Sequence, residues 1–290
     1  MSKVYFTREI TPESVVRLYD LLIEERGGEL EGKVAIKVHS GEVGNQNFLK
    51  PEFFAPVINK CGGVVTECNT AYDGGRDTTA KHIKTLKKHG WSDNFKVELL
   101  DAEGPDLCLD IEGGKIINKN YVGKGIANYS SVMVLSHFKG HPMGGFGGAL
   151  KQLSIGFASS YGKKHIHGAG DAEISFNGDH NSFLASMADA AKSVVEYFKN
   201  KIIYINVMKN MSVDCDCCAV AEDPCIADIG VLASLDPVAL DKACVDLVYA
   251  TDDKGKGHLI ERIESRNGAY TIECAEKHGI GTTKYELIEV

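Results

Sequence analysis

No run in this 290-residue chain approaches the roughly 20 apolar residues of a membrane-spanning helix, and the amino end, "MSKVYFTREITPES", lacks the apolar core of a signal peptide. A cytoplasmic protein that spans no membrane is the expectation. There is no excess of positive charge either. With 40 acidic against 32 basic residues and a formal charge of -8, the chain opposes nonspecific binding to nucleic acid, whose affinity rests on neutralising phosphates. No Pro/Ser linker, low-complexity tract or repeat of fixed period divides the sequence. It therefore reads as a single α/β unit over residues 1–290, or as two closely packed lobes with no marked boundary. The known phosphate-loop patterns are missing too. Gly145-Phe146-Gly147-Gly148 is followed by Leu150 where a dinucleotide fingerprint needs its third glycine, and no G-x-x-x-x-G-K-[ST] register fits.

What is present begins with short β-branched runs: "VAIKVH", "GVVTEC", "VMVLSH", "KIIYINV" and "IGVLAS". Several are apolar enough to be buried on both faces, which predicts a mainly parallel central sheet flanked by helices. Thr11 before Pro12 marks a helix start, with Val15, Val16, Tyr19, Leu22 and Ile23 on one face and Gly27 or Gly28 as the stop. A second apolar stripe runs from Phe183 to Phe198, and Asp236-Pro237 opens a third helix through Ala250. The Gly113-Gly114 pair inside "CLDIEGGKIINKNYV" predicts a small antiparallel hairpin. Strands end in His39, in Cys68-Asn69, in His137 and in Ser234-Leu235-Asp236. Ligands in open α/β sheets bind beyond the carboxyl ends of strands, so these four polar ends are expected to line one crevice.

Three stretches carry candidate chemistry. Ser136 to Gly168 holds eight glycines, four histidines and four lysines in 33 residues. Its strand, glycine loop and helix start follow the order in which backbone N–H groups of Gly147 and Gly148 would cradle an anion; the alternative is that small residues let the helix pack close to the sheet. His137 and His141 flank Lys139, and in an extended chain His165 and His167 would point to one side, as an acid/base pair or two metal ligands require. The second stretch, "VDCDCCAVAEDPC", places Cys215, Cys217, Cys218 and Cys225 within eleven residues. Disulfides are disfavoured in the cytoplasm, leaving zinc or iron–sulfur ligation, or redox-active or structural thiols. Cys61, Cys108, Cys244 and Cys274 sit in apolar patterns and read as core. In the third stretch, "ECNTAYDGGRDTTAKHIKTLKKHGW", Arg76 stands between two glycines and the helix start at Asp77, where it either holds a carboxylate or phosphate or bridges a turn.

"IKVHSGEVGNQNFLKPEFFAPVINKCGG", "NTAYDGGRDTTAKHIKTLKKHGW", "HFKGHPMGGFGGALKQLSIGFASSYGK", "CDCC" and "DIGVLASLDPVALDKACVDLVY" resemble successive signatures of the domain-of-unknown-function 362 family, commonly labelled iron–sulfur proteins. Members often carry a two-cluster ferredoxin insert after the glycine-rich stretch. Here the chain runs from Gly168 through "DAEISFNGDHNSF" into a helix. The resemblance implies thiolate ligands at Cys215, Cys217 and Cys218, whereas Cys225 falls where the family usually has an aliphatic residue. More distantly, "HFKGHPMGGFGGALK" is similar to the His-x-x-x-Gly-Phe-x-Gly-Gly-x-x-Lys pattern of nickel-dependent lactate racemases, which puts His141 and Lys151 in the histidine and lysine places and aligns Arg76 with an anion site. Nickel chemistry is not carried over.

The resulting expectation is an enzyme of metal-assisted or redox chemistry acting on a small anionic ligand. His39, Asn69, Arg76, Gly147 and Gly148 would bind it, His137 or His141 would move protons, Lys139 and Lys151 would offset developing charge, and the three cysteines would hold an iron–sulfur cluster or other metal. The alternative is a non-catalytic metal carrier or electron-transfer protein with a redox partner.

Overall fold

The computed structural model describes residues 1–290. In chain order the elements are β1 (Ser2–Thr7), α1 (Pro12–Arg26), β2 (Val34–Lys37), α2 (Pro51–Cys61), β3 (Val64–Glu67), α3 (Thr79–Lys88), α4 (Trp91–Asn94), β4 (Val97–Leu99), β5 (Leu107–Asp110), β6 (Lys119–Val122) and β7 (Ser131–His137). There follow β8 (Lys139–His141), β9 (Gly145–Gly147), α5 (Ala149–Phe157), α6 (Ser160–His167), α7 (His180–Phe198), β10 (Ile202–Met208), β11 (Gly230–Ser234), α8 (Pro237–Ala250), α9 (Lys256–Ser265), α10 (Ala269–Lys277) and β12 (Tyr285–Glu289). Eight strands form one sheet in the order β12-β1-β11-β10-β7-β2-β3-β4. Only β11 runs against the rest, pairing antiparallel with both β1 and β10. The α/β architecture with a mainly parallel sheet is as the β-branched runs predict.

Every residue of β7 and β10 is buried, because helices cover both faces. Alternation along β10 shows the two layers: Ile203, Ile205 and Val207 meet α1 and α2, whereas Ile202, Tyr204 and Met208 belong to the layer under α5, α7 and α8. Helix α1 starts where Thr11 accepts from Ser14 N and Ser14 Oγ accepts from Thr11 N, and it stops at Gly27 with φ +81°. It buries Val15, Leu18, Tyr19 and Leu22, each contributing about 1.5–3 kcal/mol of apolar transfer free energy. Truncating Leu18 to Ala would cost about 2–5 kcal/mol through the cavity left behind.

The predicted hairpin is β5–β6, a separate two-stranded sheet with Gly113 and Gly114 between its strands. A second hairpin, β8–β9, occupies what reads in sequence as a plain glycine loop. The reversal of β11 corrects the four-strand-end crevice. Ser234 and Asp236 emerge at the opposite edge of the sheet, where Ser234 Oγ donates to Lys3 O and Asp236 caps α8 at Val238 N and Ala239 N. Strand direction is set by pairing partners far away in sequence, so the run "IGVLAS" carries no sign of it. Cys108 is also corrected: it lies exposed on β5, while Cys244 and Cys274 are buried as expected and Cys61 is half-buried. No helix is long and apolar enough to cross a membrane.

Candidate functional site

At the carboxyl edge of β2 and β3, roofed by the β8–β9 hairpin, α5 and α6, lies a cavity of about 300 Å³. Its wall includes Lys37, His39, Arg76, His141, Lys151, Lys163, His167 and Cys217. The charges around it are mostly paired. Lys37 donates to Glu67 Oε2 at 2.7 Å, and Gly156 allows this, since a Cβ there would stand 2.9 Å from Lys37 Cε. Arg76 Nε donates to Glu42 Oε2 at 3.2 Å, its Nη2 donates to Tyr72 Oη at 2.9 Å, and Nη1 lies 3.5 Å from Glu67 Oε1. Arg76 is thus in the cavity wall and simultaneously a buried bridge between two acidic residues. His39 accepts from Gly41 N through Nδ1, and burial followed by the Arg76 charge lowers its pKa to about 4. Asn69 is brought near but turned away: Nδ2 donates to Thr79 Oγ1 and Oδ1 faces His82 Nδ1 at 3.2 Å.

Asp216, between two of the cysteines, organises the next layer. Its carboxylate meets His137 Nδ1 at 3.0 Å and Lys139 Nζ at 2.8 Å. Burial alone would raise its pKa, but these two groups outweigh that and hold it well below the usual carboxylate range. The same partnership, against the cost of burial, raises the Lys139 pKa. His137 Nε2 faces Lys209 O at 2.6 Å, so both ring nitrogens are committed to oxygen partners. The proton-moving role expected of His137 finds no free nitrogen here, and the residue does not line the cavity.

His141 is different. Its Nδ1 accepts from Met143 N at 3.1 Å and Gly144 N at 2.8 Å, which places the neutral ring's proton on Nε2, 3.8 Å from Cys217 Sγ. Burial, then the charge on Lys151, holds the ring well below the ordinary imidazole range. His141, Cys215 and Cys217 offer donor atoms within 4.8 Å of one another. Two thiolates on one zinc-like ion with metal–sulfur arms of about 2.3 Å stand about 3.8 Å apart, inside that bound. The two sulfurs suit such an ion, whereas Nε2 carries a proton that the N–H groups facing Nδ1 keep from moving across the ring, so His141 enters this arrangement as a hydrogen-bond donor to Cys217. Cys218 stands outside this close group; its N–H closes a turn onto Cys215 O at 2.9 Å, and a hydrogen bond with Cys217 lowers its pKa. A hydrogen bond with Cys217, then burial, pushes Cys215 up to about 11. Asn45 Nδ2 donates to Cys218 O and Tyr72 Oη donates to Cys217 O, clamping the thiol loop from two other elements.

The glycine pair has a clear physical reading. The N–H groups of Ala149 and Leu150, at the start of α5, donate to the two carboxylate oxygens of Asp241 at 2.8 and 2.9 Å. An anion does sit on this helix N-terminus, and it is the protein's own. A Cβ on Gly148 would lie 2.4 Å from Asp241 Oδ1, so Gly148 admits Asp241 rather than a ligand. Gly147 is less tight, its nearest neighbours being Lys151 Cδ at 3.6 Å and Lys139 Cε at 3.7 Å. Lys151 itself has no carboxylate partner and lines the cavity. His165 and His167 do not form the expected pair, because α6 is a helix and residues two apart diverge. His165 packs edge-on against Tyr121, whereas His167 lines the cavity, stacked on Phe183.

Sequence reasoning missed Asp216, Asp241, Lys37, Glu67 and Lys163. For Asp216 the signal was its position inside "CDCC"; for Lys37, an isolated lysine within an otherwise apolar strand. Glu67, Lys163 and Asp241 carry no local signature.

These features define an α/β protein with a buried imidazole–thiol group and a small cavity at the carboxyl edge of its sheet. The chain belongs to the family described as domain of unknown function (DUF362), whose model matches residues 34–246. No curated protein matches it. Among solved structures it is similar to the lactate racemase apoprotein from Thermoanaerobacterium thermosaccharolyticum, at 15% identity and a TM-score of 0.44, covering 70% of this chain and 50% of that one. It is also similar to a Thermotoga maritima protein from a structural genomics programme, at 11% identity and a TM-score of 0.46, covering 92% of this chain and 58% of that one. The chain thus spans 50% of the first structure's length and 58% of the second's.

Proposed function

We propose that this protein is a metal-dependent enzyme acting on a small anionic substrate held in the cavity. One observation carries the reading: the cavity wall joins Lys151, a cation with no carboxylate partner, to Cys217 and His141 of the soft-donor group. Lys151 supplies the charge for a carboxylate or phosphate, while Arg76, already neutralised by Glu42 and Glu67, orients Tyr72 and the thiol loop. Cys215 and Cys217 would hold the metal as thiolates, with the His141 Nε2–H directed at Cys217 beside them. A soft ion or an iron–sulfur centre would supply Lewis-acid or one-electron chemistry there. Lys139 and His137 keep Asp216 ionised and so fix the loop between the two sulfurs. The carrier reading is weaker because Cys215 is only 1% exposed, and transfer to a partner needs an accessible thiolate loop.

Anaerobic purification with metal analysis and an absorption spectrum tests this. Stoichiometric metal should be lost in Cys217→Ser, and His141→Ala should weaken retention less, since its ring supports Cys217 through a hydrogen bond without binding the metal. Thermal shift with oxalate should show stabilisation of the wild type that Lys151→Gln reduces, because a bound anion stabilises the folded state by mass action. Metal-free protein from anaerobic cells, with full retention of fold and oxalate binding, would remove the metal from this reading.

A further inference from the structure

Five basic side chains lie in or beside the cavity, and four have roles already: Lys37, Arg76 and Lys139 face carboxylates, and Lys151 remains for a substrate anion. The fifth is Lys163, on α6. It is 7% exposed, lines the cavity, and its Nζ has one protein partner, the carbonyl of Ala158 at 2.6 Å. That bond caps the end of α5 but uses one of three donors. An ammonium buried with two unmet donors and no counter-ion is costly, whereas a neutral amine with its lone pair toward the cavity is not. Burial, opposed by Cys68 and Asp101, accordingly lowers the Lys163 pKa below the ordinary amine range. One turn further on, His167 Nδ1 donates to Lys163 O at 2.7 Å, which leaves Nε2 as a lone pair without a protein partner in the same cavity. Burial lowers that ring's pKa to about 4, so it is a neutral acceptor at physiological pH.

We propose that Lys163 is a nucleophilic amine that captures the carbonyl carbon of a small anionic aldehyde or ketone as an imine. This rests on the reading of the cavity as a substrate site and narrows its substrate class to oxo acids. The Nζ lone pair forms the C–N bond as the carbonyl π pair moves to oxygen. Two protons pass in turn from nitrogen to that oxygen, with His167 Nε2 placed to relay them: the first gives the carbinolamine, and the second reaches the hydroxyl as the C–O bond breaks, so that water leaves and the C=N bond forms. No oxidant or reductant is consumed. Lys151 holds the acid group, and the imine draws electrons from the neighbouring carbon, so bonds at that carbon become the labile ones.

The full-length wild type is incubated with glyoxylate, reduced with borohydride, and examined by intact mass and peptide mapping, with acetaldehyde in a parallel arm. One reductively attached group on Lys163 is expected, faster with glyoxylate than with acetaldehyde. Lys151→Gln should slow the glyoxylate arm about tenfold, the scale of one charge-assisted hydrogen bond, and leave the acetaldehyde arm unchanged. Lys163→Met should lose the label; if that variant does not fold, the wild-type map decides alone. Label spread over surface lysines, or absent from Lys163, overturns the amine role. Oxalate forms no imine, so oxalate stabilisation without a label on Lys163 would sink this proposal while sparing the cavity reading. Equal labelling by both aldehydes would overturn the anionic substrate class.

Discussion

Two buried aspartates hold opposite ends of the same glycine-rich stretch, and they do so in different electrostatic settings. Asp216 meets His137 and Lys139 from β7 and β8, and these two partners keep it ionised. Asp241 meets only neutral donors, the N–H groups of Ala149 and Leu150 and the Asn206 amide at 2.7 Å. Burial therefore wins there and pushes its pKa up to about 6. The first belongs to the layer that shapes the thiol loop; the second is a packing device that ties α8 to the start of α5. Burial alone thus does not mark a functional carboxylate. What surrounds it does.

The largest effect should come from Asp216→Asn. It strands the buried ammonium of Lys139 and takes the carboxylate from His137 Nδ1, and breaking a buried ion pair from one side costs about 3–5 kcal/mol, read as a shift in the urea midpoint of unfolding. A loss no greater than that of Asp241→Asn would erase the contrast.

The pH dependence of Asp241 sharpens it further. Its folded pKa of about 6 lies above the ordinary 3.8, so the folded state binds the extra proton between these values. The stabilisation is fully present below about pH 4 and is lost as pH rises toward 6, a change of about 3 kcal/mol at 1.36 kcal/mol per unit. Urea unfolding across this window should show wild-type stability falling relative to Asp241→Asn. Parallel profiles would mean that the carboxyl is not shifted.

The smallest effect separates the two glycines. Gly148→Ala places a methyl group against Asp241 and should lower stability by about 1–3 kcal/mol through overpacking, whereas Gly147→Ala has room and should cost less than about 1 kcal/mol. Sulfate should stabilise Gly148→Ala as much as the wild type, because Asp241 already occupies the helix N-terminus. A sulfate response lost only in Gly148→Ala would return that site to an external ligand.

Much of the site was legible residue by residue. His141, Lys151, Arg76 and Cys217 line the cavity, and Cys215 stands beside Cys217 in the donor group, because imidazoles, thiols and a guanidinium set among glycines advertise themselves by type and spacing. Their state was not legible. Arg76 reads alike whether free or matched by Glu42 and Glu67, residues 34 and 9 positions away, and Gly148 reads alike whether it admits a phosphate or Asp241, 93 positions away.

By itself the sequence determined the α/β class, the two-sided burial of the sheet, the β5–β6 hairpin and the caps of α1 and α8, since each follows from periodicity or from a hydrogen bond closed within a few residues. Tertiary structure alone decided the reversal of β11, the neutralisation of Arg76, the occupation of α5's N-terminus by Asp241 and the burial of Lys163 without an ion-pair partner. Each of these is a question of which charge or strand lies within a few ångströms, and in a folded chain that neighbour is fixed by packing between segments far apart along it.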